Sequence, residues 1–119
     1  MDGFFLLLGH LLGDYVLQND WQAANKWRSS AACTVHCLLY TLAVWACSFW
    51  WLPWWGPVVC FLAHWPIDRF RLAGRWMALV GQERFATGPL APWSIIVVDN
   101  VAHLLTLGII AGMAGRVGG

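Results

Sequence analysis

Four apolar stretches, at residues 3–18, 31–52, 55–72 and 92–113, take up most of a 119-residue chain. The second and fourth reach the ~20 residues that a helix needs to cross the hydrocarbon of a bilayer, and the first and third sit near the lower limit of about 17. Short spans imply snorkelling ends or a thinned bilayer. The pattern predicts an all-α fold: a four-span transmembrane helical bundle of two hairpins, forming a single integral membrane domain over residues 1–119. Composition agrees. Hydrophobic types make up 60% of the chain and charged residues 11%, against roughly 25% charged in a soluble domain. A net charge of +1 offers no electrostatic footprint for nucleic acid. Little is left over for a separate soluble domain, so chemistry has to be housed in the spans or their short connections.

The flanks of the stretches set a topology. Trp50, Trp51, Trp54 and Trp55 bracket Pro53, and Trp21, Trp27, Trp76 and Trp93 fall at the other ends of the stretches, which reads as two interfacial aromatic belts. Lys26 and Arg28 lie in the first connection, and Arg69, Arg71, Arg75 and Arg84 lie at or beyond the third stretch; only Arg116 falls on the other side. By the positive-inside rule both of these connections face the cytoplasm and both termini face outward. The first stretch carries Asp2, His10 and Asp14 and no preceding Lys or Arg, so it reads as a retained span rather than a signal peptide. Cys33, Cys37, Cys47 and Cys60 all lie within spans and read as small apolar packing residues rather than a disulfide framework. Gly9 with Gly13, and Gly108 with Gly112, predict close helix approach. Residues 73–85 read as a short interfacial helix, with a breaker at Gly88, Pro89 and Pro92.

The ionisable residues inside the spans carry the functional signal. All four histidines lie in apolar stretches, and three have an aspartate four residues away: His10 with Asp14, His64 with Asp68, and Asp99 with His103. Residues four apart share a helix face. With so few acids in the chain, a given histidine has about a one-in-ten chance of such a neighbour, so three in four exceeds what composition gives. His36 lies in the second span without an acidic partner nearby in sequence. Counted from the cytoplasmic ends, all seven residues fall in one layer roughly 6–16 Å deep. Ionisable groups in hydrocarbon are costly, so they are expected to face the bundle interior and to neutralise one another or bind a cation.

Two readings of that layer stand side by side. One is a set of buried His–Asp pairs that specify helix packing. The other is a metal site, with His10, His36, His64 and His103 as ligands and Asp14, Asp68 and Asp99 either completing the shell or serving as base and orienting groups. Zinc suits the set best, manganese or iron also fit, and there are enough ligands for two metals with bridging carboxylates. Bis-histidine haem ligation does not call for the three aspartates. Gln18, on the His10–Asp14 face, either caps its span or holds substrate. Lys26, Arg69 and Arg71 lie where a lipid phosphate would sit, although interfacial snorkelling explains them equally. Pro66 removes a helix donor between His64 and Asp68 and is expected to kink the third span.

The segment Leu7-Leu8-Gly9-His10-Leu11-Leu12-Gly13-Asp14-Tyr15-Val16-Leu17-Gln18, with Lys26, His36, His64-Trp65-Pro66-Ile67-Asp68 and Asp99-Asn100-Val101-Ala102-His103, resembles a family of small bacterial and phage integral membrane proteins that carry a domain of unknown function. The resemblance covers most of the chain and implies a membrane fold with a polar core. The family pattern has Lys and Gln where this chain has Arg71 and Asn100, swaps that keep charge and polarity but alter reach. A looser likeness is to membrane-bound metal-dependent hydrolases. The expected function is therefore an intramembrane metal-dependent hydrolase of a lipid or lipid phosphate, in the bacterial inner membrane, with Asp14, Asp68 and Asp99 in its chemistry. The alternatives are a divalent-cation transporter or channel that uses the same layer, and a non-enzymatic phage or bacterial membrane effector. A homo-oligomer is compatible with each.

Overall fold

Local signals fix where the helices begin. Asn19 accepts a hydrogen bond from the Gln22 N–H at 2.9 Å and Ser29 one from the Ala32 N–H at 3.3 Å, each satisfying a donor that the first helical turn leaves free. The computed structural model describes residues 2–49 and 51–117. Trp50 of the expected aromatic belt and the Arg116 side chain lie outside the described residues. Among the described residues all regular structure is helical: α1 (Asp2–Leu11) runs into a π turn (Leu12–Val16), followed by α2 (Asp20–Asn25), α3 (Ser30–Ser48), α4 (Trp55–Arg69), α5 (Leu72–Leu79), α6 (Glu83–Thr87) and α7 (Trp93–Val117). The all-α expectation holds. Length and apolarity by themselves mark two helices as able to cross a membrane, Ser30–Ser48 and Trp93–Gly115, with Gly3–Val16 a shorter apolar helix.

The connections differ from the expectation. The first contains α2, signalled by the Asn19 cap and by Asp20 at the positive end of the helix dipole. The second holds two short helices instead of one, because Gly81, at φ 82°, adopts a left-handed conformation that ends α5. Helix α4 continues through Pro66 to Arg69.

Helix α1 packs on α3, α3 on α4, α4 on α7 and α7 on α1, closing a ring of four; α2 packs on α3, and α5 on α4 and α7. A Cβ at Gly9 would come within 2.7 Å of Val44 Cα, and one at Gly13 within 2.8 Å of Tyr40 Cα. The expected close approach at this pair is thus made, backbone against backbone. At Gly108 and Gly112 an added Cβ would meet nothing within 4 Å. That pair faces outward, so the close approach expected there is not made within the chain.

The ring encloses two storeys. Leu6, Val44, Leu52, Cys60, Leu107, Ile110 and Ala114 form an apolar cluster toward the Pro53 turn, with Tyr40 as its floor. Beyond Tyr40, His10, Asp14, His36, His64, Asp68 and His103 are all buried, while Phe4, Leu38, Leu62, Leu105 and Ile109 are exposed. Polar groups inside and large apolar groups outside is the reverse of a water-facing globule. The four cysteines are free, three of them buried.

Candidate metal centre

Each ring helix contributes to the polar storey: Asp14 from the π turn, His36 from α3, His64 and Asp68 from α4, and Asp99 and His103 from α7. The π turn explains the placement of Asp14. It closes a wider loop, with the Leu17 N–H reaching the Leu12 carbonyl at 2.8 Å, and so rotates Asp14 away from His10. The His10–Asp14 pair is accordingly loose, at 3.9 Å, while Asp14 Oδ1 comes to 3.2 Å from His36 Nε2. The other two spacings give real pairs, His64 Nε2 to Asp68 Oδ2 at 2.9 Å and His103 Nε2 to Asp99 Oδ2 at 3.2 Å.

Four donor atoms converge. His36 Nε2 lies 3.0 Å from Asp68 Oδ2 and 3.1 Å from His64 Nε2, and His64 Nε2 lies 3.7 Å from Asp14 Oδ1. Ligands around a tetrahedral zinc at about 2.0–2.1 Å stand about 3.3–3.4 Å from one another, and these contacts straddle that spacing. Hydrogen bonds alone cannot account for the packing. A ring nitrogen offers one proton or one lone pair, yet His36 Nε2 and His64 Nε2 each face two carboxylate oxygens and each other. Asp14 Oδ1 is buried without an aligned hydrogen-bond partner. Together Asp14, His36, His64 and Asp68 make a buried group that can hold a metal ion, and Asp14, Asp99 and His103 make a second.

The surroundings orient the ligands. Gln22 Oε1 lies 3.4 Å from His36 Nδ1; an N–H donated there leaves the Nε2 lone pair free for a cation. His10, expected as a ligand, is not brought into either group. Its Nε2–H donates to Asn100 Oδ1 at 2.6 Å, and its Nδ1 accepts from the Tyr40 hydroxyl at 2.7 Å, so both ring nitrogens are engaged. Tyr40 also lies with its ring centroid 4.0 Å from that of His64 and 5.9 Å from that of His103. Tyr40, Gln22 and Asn100 were not singled out from sequence. Tyr40 carried a signal, lying four residues after His36 on the same face. Gln22 carried none that could be read without knowing where α2 packs.

On the connection side the centre opens into a cavity of about 190 Å³ whose lining includes Lys26, Trp27, Ile67, Asp68, Arg71 and Asp99. Lys26 Nζ sits 3.2 Å from Asp68 Oδ2. Burial works against the Lys26 ammonium, but the carboxylates of Asp68, Asp14 and Asp99 outweigh it and hold its pKa above the ordinary lysine value. Arg71 adopts a left-handed conformation, φ 52°, with its guanidinium carbon 4.8 Å from the centre of a Trp27 ring. Arg69 turns elsewhere, donating to the Trp27 carbonyl at 2.7 Å and to Ser30 Oγ at 3.3 Å. Gln18 belongs to neither metal group, and its Oε1 is buried without a hydrogen-bond partner. An apolar groove of about 500 Å³, running past Trp76, Val98, Val101 and Leu105, meets the cavity at Ile67 and Ala73.

No curated protein and no solved structure matches the chain. One family model matches residues 4–117, which takes in every residue of both His/Asp groups. The chain belongs to the family described as protein of unknown function (DUF3307).

Proposed function

We propose that this protein is a four-span, membrane-embedded, metal-dependent hydrolase that acts on a lipid or lipid phosphate taken from the cytoplasmic leaflet. The observation that carries the reading is the convergence of Asp14 Oδ1, His36 Nε2, His64 Nε2 and Asp68 Oδ2 beside a cavity with Lys26 and Arg71 on its wall. The outward apolar surface supports four spans, with α1 and α4 short enough to require a thinned bilayer or snorkelling ends. A polar cavity that opens into an apolar groove suits a molecule with a charged head and a hydrocarbon tail.

Zinc is the ion that best suits two imidazoles and two carboxylates, with manganese or iron as substitutes. Such an ion supplies Lewis acidity and a water acidic enough to ionise near neutral pH. His36, His64, Asp14 and Asp68 hold it; Lys26 and Arg71 bind the anionic head; Asp99, a quarter exposed on the cavity floor, takes a proton from the attacking water. The apolar walls Ile95 and Ile96 limit competing water.

The test is turnover of a panel of labelled bacterial lipids and isoprenoid phosphates in detergent with added Zn²⁺ or Mn²⁺, alongside elemental analysis of protein purified without a His tag. Wild type is expected to retain metal and release headgroup or acyl chain. His36→Ala should abolish both, and Arg71→Ala should mainly raise KM if its contact is equal in ground and transition states. Metal-dependent cation flux in proteoliposomes with no lipid turned over would replace the hydrolase with the transporter reading.

Orientation follows from the basic connections, which place the termini outside the cytoplasm of the bacterial inner membrane. In a Cys47→Ser background, with Cys33, Cys37 and Cys60 buried, Trp54→Cys is expected to react with an impermeant thiol reagent added outside cells and Glu83→Cys to stay protected. The opposite pattern would invert the topology.

A further inference from the structure

Resting on the metal reading above, we infer that the centre is binuclear, with a second divalent cation held by Asp99 and His103 and bridged to the first by Asp14 and Asp68. Asp68 divides its oxygens: Oδ2 faces His36 and His64, and Oδ1 lies 3.1 Å from His103 Nε2. His103 Nε2 is at the same time 3.2 Å from Asp99 Oδ2. One ring nitrogen cannot donate its single proton to both carboxylates, which repeats at His103 the mismatch found at the first centre. Asp14 is common to both groups, and in the second its ligand atom lies within 4.8 Å of those of Asp99 and His103.

The imidazoles give an independent measure of spacing. The His64 and His103 rings are stacked nearly parallel, 11° apart, with centroids 3.8 Å from each other. They present their Nε2 atoms to the two faces of Asp68 at a separation that matches the roughly 3.5–4 Å between ions in two-metal sites. A bridging carboxylate needs this arrangement, one oxygen to each ion.

The two ions would differ in role. His36, His64 and Asp68 are buried at 1% exposure or less in their side chains, and the first centre takes four protein ligands. Asp99 lies on the cavity floor with a quarter of its side chain exposed. The second ion therefore keeps an open side and meets the substrate, while the first is closed off and sets the charge on the bridges. Oxygen Oδ1 of Asp99 remains for the water's proton.

The experiment is manganese binding to the metal-stripped full chain in detergent, read by elemental analysis and by electron paramagnetic resonance. Wild type is expected to take up two Mn²⁺ per chain and to show an exchange-coupled signal. Asp99→Asn should take up one, with the six-line signal of an isolated ion, and His103→Gln should do the same if Asp99→Asn fails to fold. A wild type that binds one Mn²⁺ with an uncoupled signal, unchanged in Asp99→Asn, would overturn the second site and leave the first standing. A wild type that binds none would overturn both.

Discussion

Asp68→Asn is expected to remove nearly all retained metal and to lower lipid turnover by at least about a thousandfold, a loss within the range of a deleted acid–base or ligand group. The side chain keeps its size, so the effect isolates charge. Asp68 is the one carboxylate that touches His36, His64, His103 and Lys26 together, at 3.0, 2.9, 3.1 and 3.2 Å. An amide offers one acceptor oxygen where both centres require one, and its NH₂ donors would face ring nitrogens that should present lone pairs. Metal content, headgroup release and the near-ultraviolet circular dichroism of the ten tryptophans report the three quantities separately. If the layer served only to pack the helices, the main result would instead be lost stability, on the order of 3–5 kcal/mol for a broken buried ion pair, with metal content and turnover of the folded fraction unchanged.

The second large effect concerns the backbone. Gly13→Leu and Gly9→Leu are expected to yield no folded protein, while Gly108→Leu and Gly112→Leu fold as wild type does. A side chain at Gly9 or Gly13 would run into the backbone of Val44 or Tyr40, which cannot move aside as a flexible side chain can, so the cost should exceed the ~1–3 kcal/mol of ordinary overpacking. In lipid this matters more than in water. Apolar burial does not drive helices together there, and close backbone approach supplies much of the association energy. At Gly108 and Gly112 an added Cβ meets open space. The fraction of monodisperse protein in detergent and its SDS unfolding midpoint distinguish the two pairs; equal tolerance at all four positions would remove the α1–α3 contact from any account of folding.

The contrast between the glycine pairs shows what sequence can and cannot convey. The small-x-x-x-small spacing is the same in α1 and α7, and only tertiary structure decides which face is covered. The His/Asp pattern behaves likewise. His64–Asp68 and Asp99–His103 were legible because both lie on regular α-helix, where a spacing of four fixes a shared face. His36 looked solitary, since its partners Asp14 and Asp68 come from other helices. Tyr40 was overlooked although its spacing from His36 was the same signal with a different residue type. The connections were the least legible part: the Asn19 cap and Gly81 are single-residue cues, and both were outweighed by the general polarity of their segments.

The π turn at Leu12–Val16 has a consequence for how such a centre can arise. A π turn carries one residue more than the α-helical turn it replaces, and this one decides whether Asp14 faces His36 or His10. A chain with one residue fewer in that turn would keep α1 against α3 and would still bury a histidine–aspartate pair, but it would lack the fourth ligand. In this fold a structural polar core and a metal-competent one are separated by a single-codon insertion, so the second can be gained or lost in one evolutionary step without rebuilding the bundle.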